Sequence, residues 1–327
     1  MRNLCLTLFF LFITACSCFA QQEAQYSQYM FNSLVINPAY AGYKEALNIT
    51  LLHRDQWTGV EGAPKTQSLI LDGAFFNDNK VGLGLSVIND KVGLQHQTSA
   101  FVNYSYRIPM GEDGSRLSFG LAFGVSQYTL NNNDAVIDDP SDPNLLGGRP
   151  NYFAPDARFG VFYSNEHFYA GLSATNVLAK EIDYKQVGAN TISKQGRHYF
   201  LTAGYLYEIS DFVKLKPSFL LKQDTKSPMN LDINSFVLLN ETIWVGASYR
   251  TSVNMWKKSD LNVAYFNQNS VVGAVEVFIR NNFRVGYAYD YSLSTLSSYS
   301  NGSHEISVGL ILNNNKKSTA LLTPRYF

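Results

Sequence analysis

Between residues 156 and 177 the chain reads DARFGVFYSNEHFYAGLSATNV. Alternate positions separate cleanly. Ala157, Phe159, Val161 and Tyr163, then Phe168, Ala170, Leu172 and Ala174, share one parity; Arg158, Gly160, Gly171, Ser173 and Thr175 take the other. A period of two on both sides of the polar turn Asn165, Glu166, His167 is the signature of a β-hairpin. The same pattern recurs over 46–53, 67–76, 81–88, 98–108, 116–130, 156–164, 168–177, 198–209, 213–223, 231–239, 243–251, 271–279, 283–293 and 304–312. In this assignment no Asp, Glu, Lys or Arg falls on the apolar face of any segment. The opposite face carries Asp72, Arg107, Arg158, Glu208, Lys216, Arg250, Glu276, Asp290 and Glu305.

The period alone does not say which face is wet, because a soluble barrel with an apolar core has the same one. Side chains fill a barrel of about eight strands; a larger one with its apolar face inward would enclose a void. A water-facing exterior should be dense in charge. Here the polar face is mostly Gly, Ser and Ala, and charged residues make up 16% of the chain, against roughly 25% in soluble domains. Lys or Arg facing lipid at the bilayer midplane costs about 2–4 kcal/mol, which accounts for a face without them. The sequence therefore predicts an all-β, antiparallel, 14-stranded transmembrane outer-membrane β-barrel. Phe159 and Leu172 should face lipid, Arg158 and Ser173 a polar lumen, and Tyr104, Tyr106, Tyr163, Tyr205, Tyr207 and Tyr289 should supply interfacial girdles. Short connections (NDNK, PMGEDGS, NEH, SDF, NET, RNN) alternate without exception with longer ones. That is the asymmetry of tight periplasmic turns and longer outer loops, and it places both termini in the periplasm.

Arg2, the apolar stretch 4–15 and the small-residue run ACSCFA read as an export signal. Cleavage after Ala20 would leave four parts: signal 1–20, periplasmic N-terminal segment 21–45, barrel 46–312 and tail 313–327, the last closing on Phe327. ITAC, ending at Cys16, offers lipidation instead, and the choice stays open. Residues 21–45 either plug the lumen or lie against the rim. Cys5, Cys16 and Cys18 all fall in the signal, so the body carries no disulfide or thiol chemistry. Lys plus Arg and Asp plus Glu balance at 26 each, which gives no sign of a nucleic-acid partner.

Catalytic patterns are missing. His304 and Glu305 sit in SHEIS, but a zinc-protease helix needs a second His three residues after the Glu, where this chain has Val308. Gly82-x-Gly84 is explained by its place inside a strand. Asp138, Asp139 and Asp142 share a long loop without a calcium-binding spacing. We expect no enzyme activity, cofactor or metal. The loop HRDQWTGVEGAPKTQ, 53–67, is less ordinary: exposed, it suits partner recognition, where Trp and Arg are frequent anchors; folded inward, it would constrict the lumen.

The motifs YSQYMFNSLVINPAYAG, RDQWTGVEGAPKTQ, INDKVG, GYAYDYSLSTL, GSHEIS and PRYF run in order from just after the signal to the last residue. Together they resemble the PorP/SprF family of type IX secretion membrane proteins. The resemblance implies an outer-membrane barrel of the type IX secretion and gliding machinery of Bacteroidota-type bacteria. Such a barrel anchors or supports the export and surface attachment of a secreted adhesin with a C-terminal sorting domain, or links periplasmic type IX components to the outer membrane. It implies no catalytic residues. On the matched motifs Asn37, Pro38, Arg54, Gln56, Trp57, Gly62, Pro64, Asp90, Asp290, His304 and Glu305 are expected as structural or partner-contacting positions. The competing reading is a transport channel for small or hydrophobic solutes, which should have an open, charge-ringed lumen.

Overall fold

The structure, a computed structural model, describes residues 24–76, 79–111, 114–131, 151–178, 196–224, 228–253, 269–280 and 282–312. The signal with Cys16 and Ala20, the acidic loop at Asp138 to Asp142, the alternating stretch 260–267 and the tail with Phe327 lie outside them. The strands are β1 (Leu47–Asp55), β2 (Lys65–Phe75), β3 (Val81–Val92), β4 (Gln95–Pro109), β5 (Arg116–Leu130), β6 (Asn151–Ser164), β7 (Phe168–Thr175), β8 (His198–Tyr205, resuming as Tyr207–Ser210), β9 (Val213–Asp224), β10 (Met229–Leu239), β11 (Ile243–Val253), β12 (Ser270–Ile279), β13 (Phe283–Ser292) and β14 (Ser303–Leu312). Each pairs antiparallel with its sequence neighbours, and β14 pairs with β1 from Leu47↔Leu312 to Asp55↔His304, closing a 14-stranded barrel.

The face assignment holds. Phe119, Leu121 and Phe123 are 41%, 45% and 63% exposed, whereas Ser118 and Ser126 on the other parity of β5 are buried. Phe159 and Leu172 face out; Arg158 and Ser173 face in. Bands of outward aromatics close the apolar belt at the short-turn end (Tyr106, Tyr205, Tyr207, Phe212) and at the loop end (Tyr249, Tyr287, Tyr291).

Three local details differ from the sequence reading, each for a physical reason. First, β3 and β4 are joined by Gly93 and Leu94 alone, so short and long connections do not alternate without exception. Both strands continue past the predicted ends through Asn89↔Thr98, Asp90↔Gln97 and Lys91↔His96. Beyond the bilayer both faces are wet, so the hydrophobic period fades while the backbone ladder persists. Second, outward charges do occur, at Asp55, Lys65 and Lys91, in the same wet extensions; Lys65 and Asp55 pair at 3.2 Å. Third, β8 breaks at Leu206, opposite Lys216 and Pro217 of β9. Pro217 has no N–H for the ladder; on the other side of β8 the Leu206 N–H keeps the register with β7 by donating to the His167 carbonyl at 2.7 Å. Beyond that break Glu208, placed inside by strict alternation, is exposed at the rim beside Lys214. A proline is tolerated in β6 for a related reason: Pro155 lies where β6 has outrun β7 and is paired with β5 only.

Residues 24–46 run inside the barrel. Three short 3-10 turns, Tyr29–Phe31, Ser33–Val35 and Pro38–Tyr40, keep this segment compact, and nearly every residue of it is buried. Lumen-facing glycines make the room. A Cβ on Gly120 would run into the backbone of Pro38 and Ala39, one on Gly160 into the Asn37 side chain, and one on Gly82 into the Ala41 carbonyl. Gly120→Val is therefore expected to destabilise the folded barrel by about 1–3 kcal/mol through overpacking. The check is the temperature at which the compact, fast-migrating form unfolds on a gel.

Candidate functional site

The lumen wall and the luminal segment meet in two layers. The layer nearer the loops runs along the wall from β9 to β14 and on to β1, stepping over β12. Lys222 pairs with Asp232 at 3.0 Å, Asp232 with Arg250 at 3.0 Å, and Arg250 with Asp290 at 3.1 Å. Asp290 in turn pairs with Arg54 at 3.1 Å, and Arg54 with Glu305 at 3.0 Å. Cations and carboxylates alternate and balance. Arg54 and Glu305 face each other because β1 and β14 are the closing pair of the barrel, in register at Arg54↔Glu305.

Glu305, 0% exposed, also receives the luminal segment. Its two carboxylate oxygens accept the backbone N–H groups of Ser27 and Gln28, each at 2.7 Å. The Gln28 amide donates to the Glu305 carbonyl at 3.1 Å and accepts from Ser307 Oγ at 2.8 Å, filling the space left by Gly286. Arg54 also donates to Ser27 Oγ. A carboxylate accepting backbone N–H bonds and a guanidinium together is a strong, charge-assisted anchor.

The deeper layer is aromatic at its centre. Phe31 meets Phe236 edge-on at 5.5 Å and Trp244 at 6.5 Å, with the Lys216 ammonium 4.5 Å from the Trp244 ring. Arg284 pairs with Glu276 at 3.1 Å and donates to the Phe31 carbonyl at 3.2 Å. Asp72 accepts from Asn48 and from the Gly42 N–H. Farther round, Asn37 caps its own turn by accepting from Ala39 N–H and donates to the Val161 carbonyl at 3.1 Å. At the short-turn rim Glu45 bridges Arg107 at 3.1 Å and Arg116 at 2.9 Å.

The expected positions therefore separate into five places. Arg54, Asp290 and Glu305 belong to one network. Asn37 and Pro38 lie in the luminal segment against the glycine floor of β5 and β6. Gln56, Trp57, Gly62 and Pro64 form the β1–β2 loop, of which Gln56 and Pro64 are buried and Trp57 half-buried. This loop is tied to both neighbours. Thr58 N–H donates to the Gly302 carbonyl and Asn301 N–H to the Thr58 carbonyl, both at 2.8 Å; Gly93 N–H donates to the Gly62 carbonyl at 2.8 Å. Gly62 takes a φ of 71°, a left-handed backbone that glycine adopts without strain. Asp90 accepts from the Thr66 hydroxyl across β2 and β3. His304 is apart from all of these: it points outward at the loop-side girdle, bonded to Tyr287 Oη at 2.8 Å.

The sequence reading placed Lys216, Arg250 and Glu276 on the inner face but did not join them to a network, and it missed Ser27, Gln28, Lys222 and Asp232. The signal for Lys222 and Asp232 was inward parity, which names a face but not a partner; Ser27 and Gln28 lie outside any strand and had no such signal. Among the described residues there is no cluster of His, Cys, Asp and Glu that could hold a metal ion.

Comparison with known proteins agrees with this architecture. The model of the type IX secretion system membrane protein family PorP/SprF matches residues 18–310. No curated protein matches the chain. Among solved structures, the CymD monoaromatic hydrocarbon channel is similar at 12% identity and a TM-score of 0.50, covering 90% of this chain and 94% of its own. The outer membrane protein Omp33 of Acinetobacter baumannii is similar at 10% identity and a TM-score of 0.43, covering 82% and 98%. At 12% identity the likeness to the CymD channel shows the fold alone. The chain is an integral outer-membrane protein and belongs to the PorP/SprF family of type IX secretion system membrane proteins.

Proposed function

We propose that this barrel is an anchoring platform of the type IX secretion and gliding system. In this reading it holds the C-terminal domain of a secreted protein at its loop side, or ties periplasmic components of the machinery to the outer membrane. It works by recognition, without bond chemistry. One observation carries the reading: residues 24–46 occupy the lumen and are fastened to the wall at Glu305, Asn234 and Val161. A solute channel at rest needs the space that this segment takes. The loop side offers an ordered surface in its place. The β1–β2 loop is bonded to the β13–β14 loop and to the β3–β4 turn, and Trp57 lies half-exposed in it, with Tyr299, 77% exposed, in the β13–β14 loop. Large aromatics on a fixed backbone lose little entropy on binding and are common anchors.

Removing the gene in the source bacterium should abolish surface display of one secreted protein, and the restored gene should return it. Trp57→Ala with Tyr299→Ala should weaken display while the barrel stays folded in the outer membrane. Purified full-length protein should show no steady conductance in planar bilayers. Undiminished display in the deletion strain, or steady open steps from the purified protein, would overturn the reading.

A further inference from the structure

The wall ion pairs are closed on the wall. Lys222, Arg250 and Arg54 balance Asp232, Asp290 and Glu305, and Arg284 pairs with Glu276, all without a side chain from residues 24–44. That stretch has one charged residue, Lys44, which donates within its own segment to the Phe31 carbonyl at 3.2 Å. Among the described residues 24–44 forms no ion pair with the wall; it is held by hydrogen bonds, among them Glu305 to the Ser27 and Gln28 N–H groups, Asp72 to the Gly42 N–H, Arg158, Ser173, Ser105 and Arg284 to backbone carbonyls, Asn37 to Val161 and Tyr29 to Asn234, and by the Lys216 and Lys222 ammoniums 5.4 Å and 5.8 Å from the Phe31 and Tyr29 rings. Water can replace hydrogen bonds of this kind, at a larger cost where they end on a charge, as at Glu305. A buried ion pair broken on one side cannot be replaced so easily. Among the described residues the segment joins the wall covalently at one place: it passes into β1 at Leu47, at the short-turn end, just after Glu45 clasps Arg107 and Arg116.

We propose that residues 24–44 are a retractable plug, and that their withdrawal through the short-turn end, with Glu45 left clasped to the wall, opens a polar passage for small hydrophilic solutes. The eight charges of these wall pairs stay paired when the plug leaves. Phe31 against Phe236 and Trp244, and Tyr40 against Phe162, hold it closed at rest. Opening thus requires a partner that binds the withdrawn form better than the docked one, since only differential affinity shifts such an equilibrium. The covalent tether puts that partner on the periplasmic side.

Three proteins in planar bilayers test this: the full-length chain, a chain lacking residues 26–43, and the full-length chain carrying Gln28→Ala and Asn37→Ala. The full-length chain should be silent. The shortened chain should keep the compact, heat-convertible form of a folded barrel and give steady open steps. The double variant leaves every wall ion pair intact but removes three hydrogen bonds to the wall, and should raise the frequency of brief openings roughly ten- to thirtyfold, as expected for three bonds each near the low end of their ordinary net strength. A folded but silent shortened chain overturns the proposal. If the shortened chain does not fold, the double variant decides: frequent openings support the plug, and silence overturns it. Loss of surface display is a separate readout, so the anchoring reading can fail while the plug stands.

Discussion

Glu305→Ala is expected to destabilise the barrel by about 3–5 kcal/mol, the range for removing one partner of a buried ion pair. Three groups lose their acceptor at once. Arg54, itself 2% exposed, keeps Asp290 but loses the carboxylate that balances its charge; the Ser27 and Gln28 N–H groups are left buried without a partner. No water-filled space beside Glu305 offers a replacement, because Gln28, Ser307 and Gly286 close over it. The measurement is the temperature at which the compact form of the purified barrel converts to the unfolded one, with protease protection of residues 24–46 as a second readout. Glu305→Gln retains one acceptor oxygen and should fall between the wild type and the alanine variant. Equal stability of all three would show that the luminal segment is held by its apolar contacts alone.

Leu121→Arg should lower the stability of the inserted barrel by about 2–4 kcal/mol, the cost of a cationic side chain facing lipid near the midplane. Leu121 is 45% exposed on the outer face of β5, flanked by Tyr104 and Phe159 on the neighbouring strands. Thr129 shares its parity but lies near the loop end, beside His96 and Asn151. The same substitution there should cost only about 0–1 kcal/mol. Titration of folded barrel in lipid vesicles against denaturant would measure both. Similar losses at the two sites would contradict a hydrocarbon belt that ends below Thr129.

Much of the architecture was legible from local pattern. A period of two is a property of neighbouring residues, so strand positions, the outward Phe119, Leu121 and Phe123, and the inward Arg158 and Ser173 could be read before any contact was known. Proline 217 and the polar run 89–91 mark where that pattern fails, one by removing a ladder donor and the other by lying in water on both faces. The motif resemblance pointed to Arg54, Asp290 and Glu305, yet it did not say that they touch. Arg54 and Glu305 are 251 positions apart and become neighbours only when β14 closes on β1.

By itself, then, the sequence determined that this chain crosses a bilayer as an even-numbered antiparallel barrel, because side-chain alternation and the exclusion of charge from one face are written residue by residue. Only the tertiary structure decided that residues 24–46 lie within the lumen, that six of the inner charges form one balanced chain, and that the β1–β2 loop is tied to its neighbours. The 24–46 stretch has no strand or long-helix period to betray its place. Its position follows from the space left by Gly82, Gly120 and Gly160, and from the carboxylate of Glu305 meeting two backbone N–H groups. Those are matches between distant parts of the chain, and they exist only once the cylinder has closed.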